Sequence, residues 1–238
     1  MPDSPNVFLA AGMRTGSTHI KNCLIRLGLR PASTHITLDD NVNEEHMVDG
    51  RAATLLFPMG GFVFQQHVRA IGRNVPLLRE YGIRPIVLYR NIYDCVLSWT
   101  EQATRDWTMG KRQHTYSPLH IPDWGSLGDG DRLRWVAYNV VPWYFSFYVS
   151  WQEAEIEKMF ISYERFFEDQ PAGLRGILRF SGFYPLPDQR SLEAAAAPLG
   201  GKFSVGLSGR GAGLPGEVKR IIEKQAEAWG PQWSNRLL

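Results

Sequence analysis

Arg14, Thr15, Gly16, Ser17 and Thr18 stand in one run between two segments of different periodicity. Before them, Val7 to Ala11 is an apolar stretch of the length of one buried strand, ended by Gly12. After them, Ile20, Leu24 and Leu27 recur at helical spacing, with Lys21 and Arg26 off that side. A strand, a glycine-bearing turn and a helix together aim several backbone N–H groups and the positive end of the helix at one place, which suits a phosphate or sulfate. The hydroxyls of Thr15, Ser17 and Thr18 add donors, and Arg14 adds a forked cation. The run is not the common P-loop, G-x-x-x-x-G-K-[ST]: three residues rather than four separate Gly12 from Gly16, and no Lys follows Gly16. A tight strand-to-helix turn in which Ser and Thr act as caps is the plainer alternative.

Two further strand ends carry polar groups. Phe62-Val63-Phe64 reads as a strand running out through Gln65 and Gln66, so His67 falls just past a carboxyl end, where open α/β sheets bind ligands. Ile86 to Tyr89 is a β-branched, apolar strand ended by Arg90, and Ile92 to Thr104 is helical. Ser98 lies eight residues beyond Arg90, about two turns at roughly 3.6 residues each, so the pair can converge on a second phosphate. Arg90 could instead simply pair with Asp94, four residues on.

The elements that must position these groups alternate along the chain. Asn74 to Tyr81 is a helix with Asn74 as its cap, and Met159 to Ser162 is a strand followed by Tyr163-Glu164. Further helices cover Leu174 to Phe180, Ser191 to Ala197 and, amphipathically, Glu217 to Trp229. Residues 106–131, rich in Gly, Pro, His and Trp, read as a lid or acceptor loop. Trp99, Trp107 and Trp124 either line an acceptor pocket there or pack beneath it. Trp135 to Trp151 carries no charge, yet Asn139, Pro142, Ser146 and Ser150 favour a buried central helix kinked near Pro142 over a membrane span. Strands alternating with helices, without internal repeat, predict an α/β three-layer sandwich around a central parallel sheet, one domain over residues 1–238.

Composition narrows the function. The 238 residues are 44% hydrophobic and 12% aromatic, ample for a packed core, and a net charge of +2 argues against non-specific nucleic-acid binding. Two cysteines, Cys23 and Cys95, form neither a disulfide framework nor a metal motif. With no signal-peptide pattern in MPDSPN and the residues after it, a cytoplasmic protein is expected.

With these motifs in order, the chain resembles the sulfotransferases that use 3′-phosphoadenosine 5′-phosphosulfate (PAPS) and release 3′,5′-bisphosphoadenosine (PAP). Arg14-Thr15-Gly16-Ser17-Thr18 is similar to their 5′-phosphosulfate loop, [KR]-[ST]-G-[ST]-[ST], in the Arg form found in carbohydrate and many bacterial members. Arg90 and Ser98 are similar to their 3′-phosphate pair, His67 to their catalytic histidine, and Tyr163-Glu164 to a pair whose tyrosine faces the nucleotide. Residues 202–216 are similar to a late nucleotide-binding loop. Its Arg-Lys-Gly triplet would fall at Ser204-Val205-Gly206, so Lys202 or Arg210 takes the place of the missing Arg. Gln65 stands where K-[ST]-H has Lys, and His19 where an adenine-stacking Trp is common.

The resemblance implies a P-loop NTPase-like sulfotransferase architecture and transfer to a hydroxyl of a small-molecule or carbohydrate acceptor. His67 is the implied base, with Glu44 or Glu45 in reserve, Arg14 the electrostatic partner, and no metal is needed. A metal-dependent kinase-like phosphotransferase and a non-catalytic bisphosphonucleotide binder are the competing readings.

Overall fold

The computed structural model describes residues 4–36, 47–110, 123–197, 208–230 and 236–238. Its strands are β1 (Val7–Ala11), β2 (Arg30–Ala32), β3 (His35–Ile36), β4 (Met47–Val48), β5 (Phe62–Gln66), β6 (Pro85–Tyr89) and β7 (Met159–Ser162). Its helices are α1 (Ser17–Arg26), α2 (Gly50–Leu56), α3 (Asn74–Glu80), α4 (Ile92–Thr108), α5 (Asp129–Asn139), α6 (Val141–Glu153), α7 (Tyr163–Glu168), α8 (Gln170–Phe180), α9 (Gln189–Ala196) and α10 (Gly216–Trp229). One all-parallel sheet has the order β2-β5-β1-β6-β7, and β3 pairs antiparallel with β4 beside it.

β1 is buried on both faces, so its five apolar residues divide by the period of two. Val7, Leu9 and Ala11 join Ile20, Cys23 and Leu24 of α1 and the apolar sides of α8 and α9. Phe8 and Ala10 face the other way, toward α4, α5, α6 and α10. The neighbouring strands split in the same manner, with Phe62, Phe64 and Val87 on the α6 side and Val63, Ile86, Leu88 and Ile161 on the α1 side. This is the three-layer α/β sandwich expected. The chain leaves β1 toward β2 and β5 on one side, and later passes to β6 and β7 on the other, so the order reverses at β1/β6. A crevice at the carboxyl ends is the geometric result.

The uncharged stretch from Trp135 is two helices, α5 ending at Asn139 and α6 restarting with Pro142 in its first turn, where a missing N–H costs nothing. No helix among the described residues is long and apolar enough to cross a membrane. Asn74 is not a cap: the cap position is Arg73, and buried Asn74 instead accepts from Val48 N at 3.0 Å and donates to the Arg69 carbonyl at 2.9 Å. The segment expected as a loop over 106–131 is shorter, because α4 continues to Thr108 and α5 begins at Asp129; residues 111–122 lie outside the described residues. Trp99 and Trp124 are fully buried and, with Trp135, form a three-ring cluster, while Trp107 is 41% exposed.

Candidate active site

Gly12 N donates to the Leu88 carbonyl at 2.9 Å, the last rung of β1 on β6 before the chain turns. Three successive carbonyls are then taken by the protein. Thr15 Oγ1 donates to Gly12 O (2.7 Å), Tyr144 OH from α6 to Met13 O (2.7 Å), and Arg90 Nη1 to Arg14 O (3.3 Å). In a planar trans peptide the carbonyl and the following N–H point opposite ways, so fixing these oxygens turns the Met13, Arg14 and Thr15 amides outward from the protein. Arg14 is the one described non-glycine residue with positive φ, at 60°, and Gly16 follows at 74°. A non-glycine residue costs about 1 kcal/mol or more in that region, a price met at sites where the backbone must curl around something.

Gly16 is the N-cap of α1 and offers no side-chain acceptor, and the first turn holds no acidic residue. Among the described residues, no protein acceptor meets the amides from Thr15 to Thr18. The helix end is therefore electrostatically open, the arrangement that suits an anion. A Cβ on Gly16 would fall 2.9 Å from two ring carbons of Tyr163, so the turn rests directly on that ring. Ser17 Oγ accepts from Gln65 Nε2 at 2.9 Å, which ties the loop to the end of β5, and Thr18 is exposed.

The β6–α4 junction carries the second group of cations. Arg90 is 7% exposed; its guanidinium lies 3.9 Å from the centre of the Tyr163 ring and bonds Asp94 Oδ2 at 3.3 Å. Pairing with Asp94 is thus realised, and it coexists with the contact to the first loop. Ser98, two turns into α4, accepts from Arg14 Nε at 3.2 Å. Arg14, Arg90, Ser98 and Tyr163 consequently form one connected group rather than two separate ones. Tyr163 is 6% exposed, and burial first of all pushes its phenol up from the usual value, with Arg90 opposing.

His67 follows β5 directly, half-buried, with Nδ1 2.9 Å from the Ala11 carbonyl. A carbonyl only accepts, so Nδ1 donates, and in the neutral ring the lone pair is on Nε2. The segment after it is pinned by α6: Ser146 Oγ accepts from Arg69 Nη1 (2.8 Å), Ser150 Oγ from Ala70 N (3.0 Å), and Trp151 Nε1 donates to Val68 O (2.8 Å). The same helix supplies the Tyr144 bond to the first loop.

His19 meets this group through Phe167, whose ring also packs on Tyr163 with centres 4.3 Å apart. It is 7% exposed, stacks on Phe167 with ring centres 5.4 Å apart, and donates from Nε2 to Gln170 Oε1 at 2.7 Å. Burial pulls its pKa below the ordinary value, with the Gln170 bond partly opposing. Arg210 forms a bidentate pair with Glu101, and its neighbours Gly209 and Gly211 donate their amides to Asp94 at 2.9 and 2.6 Å. Glu44, Glu45 and Lys202 lie outside the described residues. Sequence reasoning passed over Tyr144 and the glycine contacts of Asp94; a tyrosine in an otherwise apolar helix needs a partner for its hydroxyl, which was the available signal for the first. Among the described residues no group of three His, Cys, Asp or Glu is placed to hold a metal ion.

No family model and no curated protein sequence matches the chain. Solved structures do. The mouse sulfotransferase SULT7A1 complexed with PAP superposes with a TM-score of 0.64 at 13% identity, over 98% of this chain and 88% of that one. Retinol dehydratase in complex with androsterone and inactive cofactor PAP gives 0.60 at 13% identity, over 96% and 82%. The chain has the sulfotransferase fold.

Proposed function

We propose that the protein is a PAPS-dependent sulfotransferase that moves a sulfuryl group to a hydroxyl of a small-molecule or carbohydrate acceptor. The observation that carries this is the placement of His67: its Nδ1–H is held by the carbonyl of Ala11, one residue before the turn that leads into the anion loop. A base with its lone pair fixed on Nε2 thus stands beside a backbone cradle for negative charge. The residues fit the donor nucleotide. The uncapped α1 terminus, the outward amides and Arg14 suit a 5′-phosphosulfate, and Arg90 with Ser98 suits a 3′-phosphate. Tyr163, packed between the two, fixes their spacing. The neighbours with PAP bound support the same assignment.

PAPS supplies a sulfuryl group already bonded to a good leaving phosphate. His67 Nε2 takes the proton of the acceptor hydroxyl as its oxygen bonds to sulfur, and the sulfur–oxygen bond to the phosphate breaks. Arg14 and the loop amides hold the charge that grows on the departing phosphate oxygen, an effect typically worth about 3–4 kcal/mol per well-aimed donor. Arg14 stays protonated throughout.

The test is transfer from radiolabelled PAPS to a panel of hydroxyl acceptors, with and without EDTA, in the unaltered chain and in His67→Ala. Label should move in both conditions with the unaltered chain. His67→Ala should lose about 10²–10⁴-fold in rate while its PAP affinity holds. Tight PAP binding without transfer to any acceptor would favour a binding protein, ATP turnover abolished by EDTA a kinase, and unchanged turnover in His67→Ala would remove His67 as the base.

A further inference from the structure

Asp94 accepts three hydrogen bonds, yet the proposed chemistry gives it no task. Its side chain is fully buried, and both oxygens are taken. Oδ2 receives Arg90 Nη2 at 3.3 Å and the Gly209 amide at 2.9 Å, and Oδ1 receives the Gly211 amide at 2.6 Å. One carboxylate therefore binds the cation at the end of β6 to a chain segment 115 and 117 residues further on. Removing a partner from a buried charge costs far more than a surface contact returns, so this arrangement constrains all three groups at once.

The segment itself is shaped for the contact. A Cβ on Gly211 would stand 2.4 Å from Tyr93 Cβ, 2.5 Å from Tyr93 C and 2.7 Å from Asp94 N. Two of those three atoms are backbone, which a side-chain rotation cannot clear. Only glycine lets residues 209–211 lie flat on the first turn of α4. Gly209, at φ 81°, turns the chain so that its own amide and that of Gly211 converge on Asp94. Arg210, between them, then reaches Glu101 two turns along the same helix.

We propose that Asp94 is a positioning residue for the nucleotide's second phosphate, acting by clipping the segment at Gly209 and Gly211 to Arg90, so that the guanidinium and the segment take their places as a unit. The inference rests on reading Arg90 as a phosphate ligand. A carboxylate that also holds two backbone amides cannot follow Arg90 into a new rotamer without releasing the segment. Arg90 is accordingly kept in the one orientation that faces both the Arg14 carbonyl and the Tyr163 ring.

The experiment compares affinity for PAP with affinity for adenosine 5′-monophosphate, which lacks the 3′-phosphate, by calorimetry on the full chain, with folding checked by circular dichroism. The unaltered chain should bind PAP at least about tenfold more tightly. Asp94→Asn places an amide donor against donors, and Gly211→Ala lifts the segment while leaving Asp94 in place. Each should cut the PAP preference by about tenfold with the monophosphate affinity kept within about twofold. A merely structural role would weaken both nucleotides together, and that result, or an unchanged preference in either folded variant, overturns the inference. An unaltered chain with no preference for PAP sinks the phosphate assignment of Arg90 itself. As a measurement free of any substitution, amide exchange at Gly209 and Gly211 should slow on adding PAP and not on adding the monophosphate; exchange that responds equally to both overturns the clip.

Discussion

Two of the sheet's strand-to-helix junctions, β1–α1 and β6–α4, are built from the same parts and finished in opposite ways. At β1–α1 the helix begins on a left-handed glycine with no capping side chain and no acid in its first turn. At β6–α4 every early donor is already spent. Asn91 Oδ1 accepts from Tyr93 N and Asp94 N, Leu237 O accepts from Ile92 N at 2.7 Å, and the acidic Asp94 sits in the first turn. On the proposed reading, the first junction would meet an anion with its backbone amides together with Arg14, and the second with side chains alone, Arg90 and Ser98. Backbone donors read charge and shape close to the main chain. Side-chain donors stand off from it and add a cation that the backbone lacks. A donor nucleotide with phosphates at two distances from its sugar fits one junction of each kind.

Substitutions that touch one junction alone separate the two. The largest effect should come from Gly16→Ala, which combines a left-handed backbone angle with a Cβ 2.9 Å from the Tyr163 ring. About 2–4 kcal/mol of combined strain is expected, seen as a lower melting temperature and as weaker binding of PAP and the monophosphate alike. Equal binding by the variant would mean that the amides of this turn hold no anion. Next in size, Arg90→Ala should weaken PAP by about 1.5–3 kcal/mol and spare the monophosphate. Arg90→Lys should not restore it, since an ammonium cannot both lie over Tyr163 and bond Asp94 and Arg14 O in the guanidinium's geometry. A full rescue by Lys would reduce the second junction to a point charge.

The smallest effect concerns His19, in the first turn of α1. Its folded pKa is depressed by burial, so below about pH 6.5 the unfolded chain takes up the proton first. Stability present above that pH is lost as pH falls toward the folded value, at no more than about 1.4 kcal/mol per pH unit. In thermal melts between pH 7.5 and 5.5, His19→Gln should show a shallower acid decline than the unaltered chain; parallel curves would place the acid sensitivity elsewhere.

Local patterns were enough for four of the five strands of the parallel sheet, while the short edge strand β2, Arg30–Ala32, carried no such pattern. Val7 to Ala11 and Ile86 to Tyr89 are short, largely apolar runs between turn residues, the pattern of a buried parallel strand. The first loop was equally visible because its donors are consecutive. What escaped depends on partners far along the chain. Gln65 and Gln66 close β5 with side-chain amides bonded to Ser17 Oγ and Thr34 Oγ1, partners the strand pattern does not show. Asn74 reads as a cap by its neighbours, yet Val48 and Arg69 claim it. The contacts of Asp94 with Gly209 and Gly211 cross more than a hundred residues, and spacing alone carries no trace of them.

The polar atoms of α6 have a mechanical meaning. Tyr144 grips the turn before α1, while Ser146, Ser150 and Trp151 grip the segment behind His67, all from one short helix that also buries Val141, Phe145, Phe147, Tyr148 and Val149. The helix acts as a gauge block: the spacing between the turn before α1 and His67 is a length measured along one bar rather than a balance struck between two loops. Thermal motion can shift the bar as a whole, but it cannot open or close the gap without melting the middle of the molecule.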